Sequence, residues 1–164
     1  ISDKYLSGGM WDGGGCHPRD NIAMSWLAKK LNLSHDFFED LMYAREDQTE
    51  FLAWEMETHA NVKNLPMVIF GKSFKKETNL VVGSPSILLK NILEERGNTV
   101  TMWDPWIDGK DIPTFEKSVF LIGTNHDEFE NFEFPEGSVV LDPWGYMPKS
   151  DKYTVIGIGR KSWK

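Results

Sequence analysis

The sequence predicts an α/β fold, with long helices first and an open, mostly parallel sheet after them. Short apolar runs recur from residue 66 onward, namely MVIF, TVTMW, SVFLI, SVVLD and YTVIGIG. Each run has the length of a strand, and helical or polar segments separate the runs. Strands that alternate with helices need crossover connections, which produce parallel pairing. We therefore expect a Rossmann-like sheet with flanking helices, to which the run at 153–159 adds an edge strand.

Two helices are predicted before the sheet. Residues 1–16 are rich in Gly, Ser and Asp, which is typical of a loop. Pro18 suits a first helical turn, and apolar residues at i, i+4 spacing predict an amphipathic helix from about 18 to 31. Ser34 is a suitable N-cap for a second helix, which we expect from about 35 to 60.

The second helix is long for a globular domain. Phe37, Leu41 and Phe51 lie along one apolar stripe, and Leu52 and Met56 lie along a neighbouring one. A core helix that crosses the domain would show such stripes, and so would a helix that joins two subunits. The sequence leaves these two interpretations equally open.

The α/β part begins at residue 66. Its first strand ends in a glycine, and a polar, basic loop follows from 71 to 83. Ser84 and Pro85 are typical of a helix start, and Gly97 is typical of its end. Because ligands of open parallel sheets bind at the carboxyl ends of the strands, the basic loop is a candidate ligand loop. The chain divides into residues 1–65, a loop and helical region, and residues 66–164, an α/β domain.

Composition and charge argue against several classes of function. The net charge is −7, and the only dense positive segment is GKSFKKE at 71–77, which disfavours long nucleic acids but suits a small anion. No apolar run approaches the roughly 18 residues that span a bilayer, so we expect no membrane partner. The single cysteine excludes an internal disulfide and favours a reducing, cytoplasmic compartment. One Cys and four scattered His show no metal-ligand spacing, so we expect no metal.

Cys16 is the first candidate for chemistry. It follows Gly13, Gly14 and Gly15 and precedes a predicted helix, whose unpaired N–H groups and dipole favour a thiolate. Arg19 adds a nearby cation. The alternative is that a lone cysteine is simply a small, buried apolar residue. A Cys–His hydrolase is disfavoured because no histidine is placed to pair with the thiol.

Two further motifs are too incomplete to assign. Gly71-Lys72-Ser73 is not a P-loop, because that pattern needs a glycine where Pro66 stands. GIG at 157–159 is too short for a dinucleotide fingerprint, so the chain shows no nicotinamide-binding motif of its own.

Together the motifs resemble the UDP-glucose/GDP-mannose 6-dehydrogenase family. That family has a GGxC loop followed by x-P-[KR]-D, which corresponds here to residues 13–20. Its second signature, G-x-x-F-K-x-x-T with a later S-P, corresponds to residues 71–78 and 84–85. WDP at 103–105 and NHDEF at 125–129 also fit the family's pattern. The resemblance covers nearly the whole chain and identifies it as the C-terminal part of such a protein, including the cysteine loop.

The resemblance implies an NAD-dependent oxidation of a nucleotide sugar, UDP-glucose to UDP-glucuronate, in polysaccharide biosynthesis. Cys16 corresponds to the nucleophile that forms a thiohemiacetal and then a thioester, and Asp20 to an acid beside them. The substrate-binding positions are Gly13, Gly14, Phe74 and Lys75. The family's NAD-binding domain precedes the part matched here, so we expect the cofactor to be bound mainly outside this chain and the chain alone to be inactive. Family members pair through the long helix, which implies a homodimer.

The chain also departs from the family's pattern. Asp12 replaces an aromatic residue before the cysteine, and Leu80 and Val82 replace an acid and an arginine. These changes keep open an alternative, a diverged module that binds a nucleotide sugar or a protein without catalysis. Arg160, near the C-terminus, is a further candidate contact for an anion.

Overall fold

The computed structural model describes residues 7–159. The start of the predicted N-terminal loop and the candidate anion contact Arg160 lie outside the described residues. None of the helices in the described range is both long and apolar enough to cross a membrane.

Helix α1 spans Cys16–Lys30 and begins earlier than the predicted start at 18. Gly15 occupies the N-cap and contributes no side-chain hydrogen bond. Cys16 is therefore the first residue of the helix, and Pro18 lies within its first turn, where a missing N–H leaves no carbonyl unpaired.

Helix α2 spans Phe37–Lys63, longer than the predicted 35–60 at its C-terminal end. Its N-cap is Asp36, whose carboxylate accepts a hydrogen bond from the Glu39 N–H at 3.1 Å. The prediction that Ser34 caps this helix was wrong, because the aspartate two residues later supplies the acceptor. The helix ends at Asn64, which adopts the left-handed conformation common at helix ends.

Five parallel strands form one sheet in the order β2-β1-β3-β4-β5. The strands are β1 Met67–Phe70, β2 Val100–Trp103, β3 Val119–Ile122, β4 Val139–Asp142 and β5 Thr154–Gly157. Helix α3, Pro85–Glu95, connects β1 to β2, and the short helix α4, Asp127–Glu130, follows β3. The predicted α/β class and the edge strand are confirmed, and every strand pair is parallel.

The two faces of the sheet are covered differently. One face is aliphatic and packs against α2 and α3, with Leu52, Met56 and Leu89 among its buried residues. The other face is aromatic and is centred on Phe70, whose ring lies 4.9 Å from that of Phe132. Loops and the four-residue α4, rather than long helices, cover this second face.

The long helix α2 is a core helix, which is one of the two interpretations left open by its sequence. Its C-terminal half packs against the sheet, and Leu52 and Met56 are buried there. Its other apolar stripe stays partly exposed, with Phe37 at 59% and Phe51 at 45% relative exposure. The helix therefore crosses the core and also presents an uncovered apolar surface.

The strand order reverses between β1 and β3, because the chain runs from β1 outward to β2 and from β3 outward to β4. In doubly wound sheets, the crevice at the carboxyl ends of two such strands is the usual ligand site. Residues 71–83, 104–108 and 123–126 follow β1, β2 and β3 and meet at this crevice.

Candidate active site

The two loops predicted to form the site are in direct contact. The Gly14 N–H donates a hydrogen bond to the Gly83 carbonyl at 3.2 Å. Gly83 has φ +71°, and a Cβ there would lie 2.6 Å from the Gly14 carbonyl carbon, so this approach requires glycine. A Cβ on Gly14 would lie 3.2 Å from the Phe74 ring, and one on Gly13 would lie 3.2 Å from the Phe74 Cβ. The fold thus joins the predicted Gly13, Gly14 and Phe74 into one surface.

Cys16 lies at the edge of this surface and is exposed. It is the first residue of the 15-residue helix α1, so unpaired backbone N–H groups surround it. The Val82 side chain approaches the preceding glycine, with a Cβ on Gly15 falling 3.6 Å from Val82 Cγ1. The alternative interpretation of Cys16 as a buried apolar residue was wrong, because the glycine loop leaves it at the surface.

Asp20 pairs with Arg19 rather than with the thiol. The Arg19 Nε donates to Asp20 Oδ1 at 3.0 Å, and both side chains are exposed. The hydrogen bond and charge of Asp20, with a smaller contribution from Cys16, raise the pKa of Arg19. Since residues i and i+4 share a helix face, Cys16, Arg19 and Asp20 form one exposed cluster at the N-terminal end of α1.

The four histidines have partners other than Cys16. His17 lies 3.7 Å from Asp12, His35 lies 2.8 Å from Asp40, and His59 lies 3.6 Å from Glu55. His126 is fully buried behind the basic loop. These pairings agree with the weak support that the sequence gives to a Cys–His hydrolase.

The three lysines of the basic loop differ in their partners. The Lys72 Nζ bonds Asp108 at 2.6 Å, and the Lys76 Nζ bonds Asp127 at 3.0 Å. The Asp127 hydrogen bond and charge raise the pKa of Lys76. The Lys75 Nζ lies 5.4 Å from the centre of the Phe74 ring, and no carboxylate of residues 7–159 lies within 4 Å of it. Lys75 is therefore the cation of this loop that remains available to an anionic ligand.

A buried polar network lies beneath the loop. The Asp104 Oδ2 accepts the Lys72 N–H at 2.7 Å and the Ser73 N–H at 2.9 Å, and lies 3.2 Å from His126 Nε2. Asp104 Oδ1 accepts the Trp106 N–H at 2.8 Å. Burial by itself raises the pKa of Asp104, but the hydrogen bonds from His126 and these three N–H groups outweigh it and hold the pKa well below its usual range.

Sequence reasoning did not find this network. WDP and NHDEF were recognised as family-like segments, yet neither Asp104 nor His126 was assigned a role. The available signal was that both residues follow strands predicted to end at the same edge of the sheet. Their partnership with Ser73 depends on strand order, which the sequence pattern did not supply.

The residues after β1 do not fit a dinucleotide. Dinucleotide-binding turns use a short glycine-rich connection that leads straight into a helix. Here Gly71 is followed by a long loop, and a Cβ at Gly71 would lie 2.6 Å from the Thr124 nitrogen, so the space above this glycine is filled. We therefore assign no cofactor contact to this turn.

Fold and site together define the class: an α/β domain of the doubly wound type whose candidate ligand loops meet at the switch point, with an exposed cysteine beside them. No family model matches the chain. Curated relatives include UDP-glucose 6-dehydrogenase TuaD of Bacillus subtilis, 28% identical over 106 residues, which cover 64% of this chain and 23% of that protein. GDP-mannose 6-dehydrogenase of Pseudomonas putida is 28% identical over 182 residues, covering 94% of this chain and 41% of the relative.

A solved structure supports the same assignment of fold. The UDP-glucose dehydrogenase of the archaeon Pyrobaculum islandicum superposes with a TM-score of 0.76 at 22% identity, covering 96% of this chain and 40% of that one. These findings bear out the resemblance: the chain is similar to UDP-glucose and GDP-mannose 6-dehydrogenases over most of its length, and the match is consistent with their C-terminal part. The chain spans less than half the length of the relatives that it matches.

Proposed function

We propose that this chain is the nucleotide-sugar-binding part of an NAD-dependent 6-dehydrogenase that oxidises UDP-glucose to UDP-glucuronate. The observation that carries the proposal is the contact between the loop that leads to Cys16 and the loop that bears Phe74 and Lys75. An exposed thiol on one loop and a cation without a carboxylate partner on the loop that it contacts suit a sugar attached to a diphosphate.

In the proposed reaction Cys16 captures the aldehyde formed from the C6 alcohol. Its sulfur bonds to the aldehyde carbon, and the carbonyl oxygen takes up a proton to give a thiohemiacetal. Loss of a hydride from that carbon and of the hydroxyl proton gives a thioester. Water then attacks the thioester carbon, the C–S bond breaks, and the carboxylate product leaves with the thiol restored. Covalent capture divides a difficult oxidation into easier steps.

Asp20 and Lys75 have separate proposed roles. Asp20 lies one helical turn after Cys16. Once its carboxylate has separated from Arg19, it can accept a proton from the attacking water. Lys75 has no carboxylate partner among the described residues, so its ammonium is available to the diphosphate. Phe74, Gly13 and Gly14 form the surface on which the rest of the substrate rests.

Each of the two oxidation steps needs a hydride acceptor, and NAD supplies that chemistry when it is bound. Because the turn after β1 does not fit a dinucleotide, we propose that NAD is bound mainly by a part of the protein outside this chain. The chain alone then binds the nucleotide sugar without turning it over.

A non-catalytic module of the same fold is the second candidate function. Val82 is 70% exposed and lies beside the cysteine loop, where the family's pattern has an arginine. An apolar residue there would weaken anion or cofactor binding while leaving the fold intact. This candidate predicts nucleotide-sugar binding without NADH formation in the full-length protein.

We also propose that the chain forms a homodimer through α1 and α2. Trp26 on α1 is 61% exposed, and Phe51 and Trp54 on α2 are 45% and 55% exposed, with their rings 6.2 Å apart. A second copy would cover this apolar surface. Light scattering should give a dimer mass for the wild type and a monomer mass for Trp54→Glu, whereas Glu46→Gln should remain dimeric. A monomeric wild type would contradict the proposal.

Turnover of the full-length protein tests the enzymatic proposal. NADH formation should be seen with UDP-glucose and should exceed that with UDP-N-acetylmannosamine or GDP-mannose. Cys16→Ala should lose thioester formation and therefore acid production. Normal turnover by Cys16→Ala would exclude the proposed nucleophile, and nucleotide-sugar binding without turnover in the wild type would favour the non-catalytic module.

Calorimetry on the chain itself tests the ligand. UDP should bind, and Lys75→Ala should weaken binding by roughly tenfold or more, because a charge-assisted hydrogen bond is lost. Lys76→Ala is the matched control, since Lys76 already pairs with Asp127, and it should change the affinity little. Equal losses in the two variants would argue against a specific role for Lys75.

A further inference from the structure

We propose that Asp104 and His126 are positioning residues that fix the backbone of the basic loop, so that Phe74 and Lys75 face the ligand. This inference rests on the proposed function, because it concerns how that nucleotide-sugar site is held. Neither residue touches the proposed ligand; both act through Ser73 and Lys72.

The first step of the argument concerns where an anion can bind. Two successive N–H groups, those of Lys72 and Ser73, converge on a single oxygen of Asp104 at 2.7 and 2.9 Å. Such a pair of N–H groups after a strand is a typical cradle for a phosphate. Here the buried Asp104 carboxylate occupies it, so a ligand diphosphate must be held elsewhere on the loop. Lys75 is the candidate, because Lys72 and Lys76 are paired with other carboxylates.

The second step concerns the protonation of His126. Ser73 Oγ donates to the Lys75 carbonyl at 2.9 Å, so it can only accept at its 3.1 Å contact with His126 Nε2. A carboxylate also only accepts, so the 3.2 Å contact with Asp104 places the proton on Nε2 as well. One N–H of His126 thus links the carboxylate and the hydroxyl. Without it, the Asp104 carboxylate and the Ser73 hydroxyl oxygen would each lose a donor in a buried site.

The third step concerns how tightly Ser73 is held. Its N–H is bound by Asp104, its carbonyl accepts from Thr124 Oγ1 at 2.6 Å, and its hydroxyl joins the Lys75 carbonyl to His126. The next residue, Phe74, donates its N–H to the Leu80 carbonyl at 3.0 Å. The backbone is therefore fixed through residue 75, and the exposed Lys75 side chain begins from a fixed point.

The ring of His126 is itself held in place. It stacks on Trp106 with ring centres 6.5 Å apart, and it meets the Phe129 ring edge-on at 5.4 Å. Its Nδ1 is buried without a hydrogen-bond partner among the described residues. An unpaired buried nitrogen is unfavourable, so its presence indicates that the ring is there for the bonds that Nε2 makes.

The test compares two substitutions of His126 in the 164-residue chain. His126→Leu removes the Nε2 donor, whereas His126→Gln can place an N–H at a similar position. We expect His126→Leu to speed hydrogen exchange of the Lys72 and Ser73 amides and to weaken UDP binding roughly tenfold. His126→Gln should restore most of both properties. His35→Leu, on an exposed histidine, is the matched control and should change neither.

A double-mutant cycle separates positioning from general destabilisation. If His126 acts through Ser73 to position Lys75, then Lys75→Ala should reduce UDP affinity less in the His126→Leu background than in the wild type. Additive effects, or wild-type exchange and affinity in His126→Leu, would overturn the inference. Failure of the wild type to bind UDP or GDP would count against the proposed function, while hydrogen exchange would still decide whether Asp104 and His126 hold the loop.

Discussion

The two loops that meet at the candidate site are held in very different ways. The basic loop rests on a buried network in which Ser73, Asp104 and His126 are almost fully enclosed. The cysteine loop rests on the basic loop through the Gly14–Gly83 hydrogen bond and glycine contacts with Phe74, and it leaves Cys16 exposed. The basic loop is hydrogen-bonded to residues at three strand ends, whereas the cysteine loop is held by its contacts with the basic loop.

This difference shows which part of the site the sheet itself can build. Strand ends of a parallel sheet bring distant residues together, so they can support a buried, fully bonded loop. The N-terminus of α1 lies outside that framework, and its Cys16, Arg19 and Asp20 remain in solvent. If the proposed function holds, the exposed loop is completed by protein outside this chain, whereas the basic loop is already in place.

Among the variants that test this difference between the loops, Asp104→Ala should lower the free energy of unfolding most. It leaves the Lys72, Ser73 and Trp106 N–H groups and the His126 donor without their acceptor in a buried site. We expect the free energy of unfolding to fall by about 3–5 kcal/mol, as when one partner of a buried charged network is removed. Urea denaturation measures the change. Asp151→Ala, at an exposed position, is the control, and an equal loss there would refute the special role of Asp104.

Gly83→Ala should have the next largest effect, because it separates the two loops. Gly83 and Gly97 have φ values of +71° and +87°, but a Cβ at Gly97 meets nothing within 4 Å. Both alanine variants should therefore lose about 1–2 kcal/mol from backbone strain, and Gly83→Ala should lose more from its clash with Gly14. Thermal unfolding of the two variants measures the difference. Equal losses would mean that the loops do not need their close contact.

The free energy of unfolding should also depend on pH through Asp104, and this change should be smaller than the losses caused by the two substitutions above. The pKa of Asp104 is lowered in the folded chain, so its ionised form contributes stability above the ordinary carboxyl pKa of about 4. That contribution should be lost progressively as the pH falls below this value. Unfolding free energies from pH 7 to 3 should therefore decline less steeply for Asp104→Asn than for the wild type. Parallel curves would show that Asp104 does not titrate abnormally.

Cys16→Ala should have the smallest effect on stability. The side chain is exposed and supports neither loop, so we expect a change within about 0.5 kcal/mol. In the native wild type, a thiol reagent should react with Cys16 without prior unfolding. Reaction only after addition of denaturant would show that the cysteine loop is covered, and would remove the contrast between the two loops.

Much of the fold and part of the site followed from local sequence patterns. The strand-length apolar runs predicted the five strands, and the i, i+4 spacing predicted α1 and α2. The predicted bounds of the two helices differed from the structure only at the helix ends. The resemblance of two motifs to a family implied that a cysteine loop and a basic loop share a site, and the two loops are in contact in the structure. The role of Ser34 as a cap was wrong, because Asp36 was the better-placed acceptor.

Resemblance to a family implied Phe74 and Lys75 as candidates, whereas the residue pattern by itself determined the α/β class, the parallel pairing and Cys16 as a candidate. These features depend on residue type and near-neighbour spacing, which a chain carries without folding. Tertiary structure alone decided the strand order, the contact of Gly14 with Gly83 and the Ser73–Asp104–His126 network. Those features join residues far apart in sequence. They depend on which strands become neighbours and on the need of buried polar groups for hydrogen-bond partners.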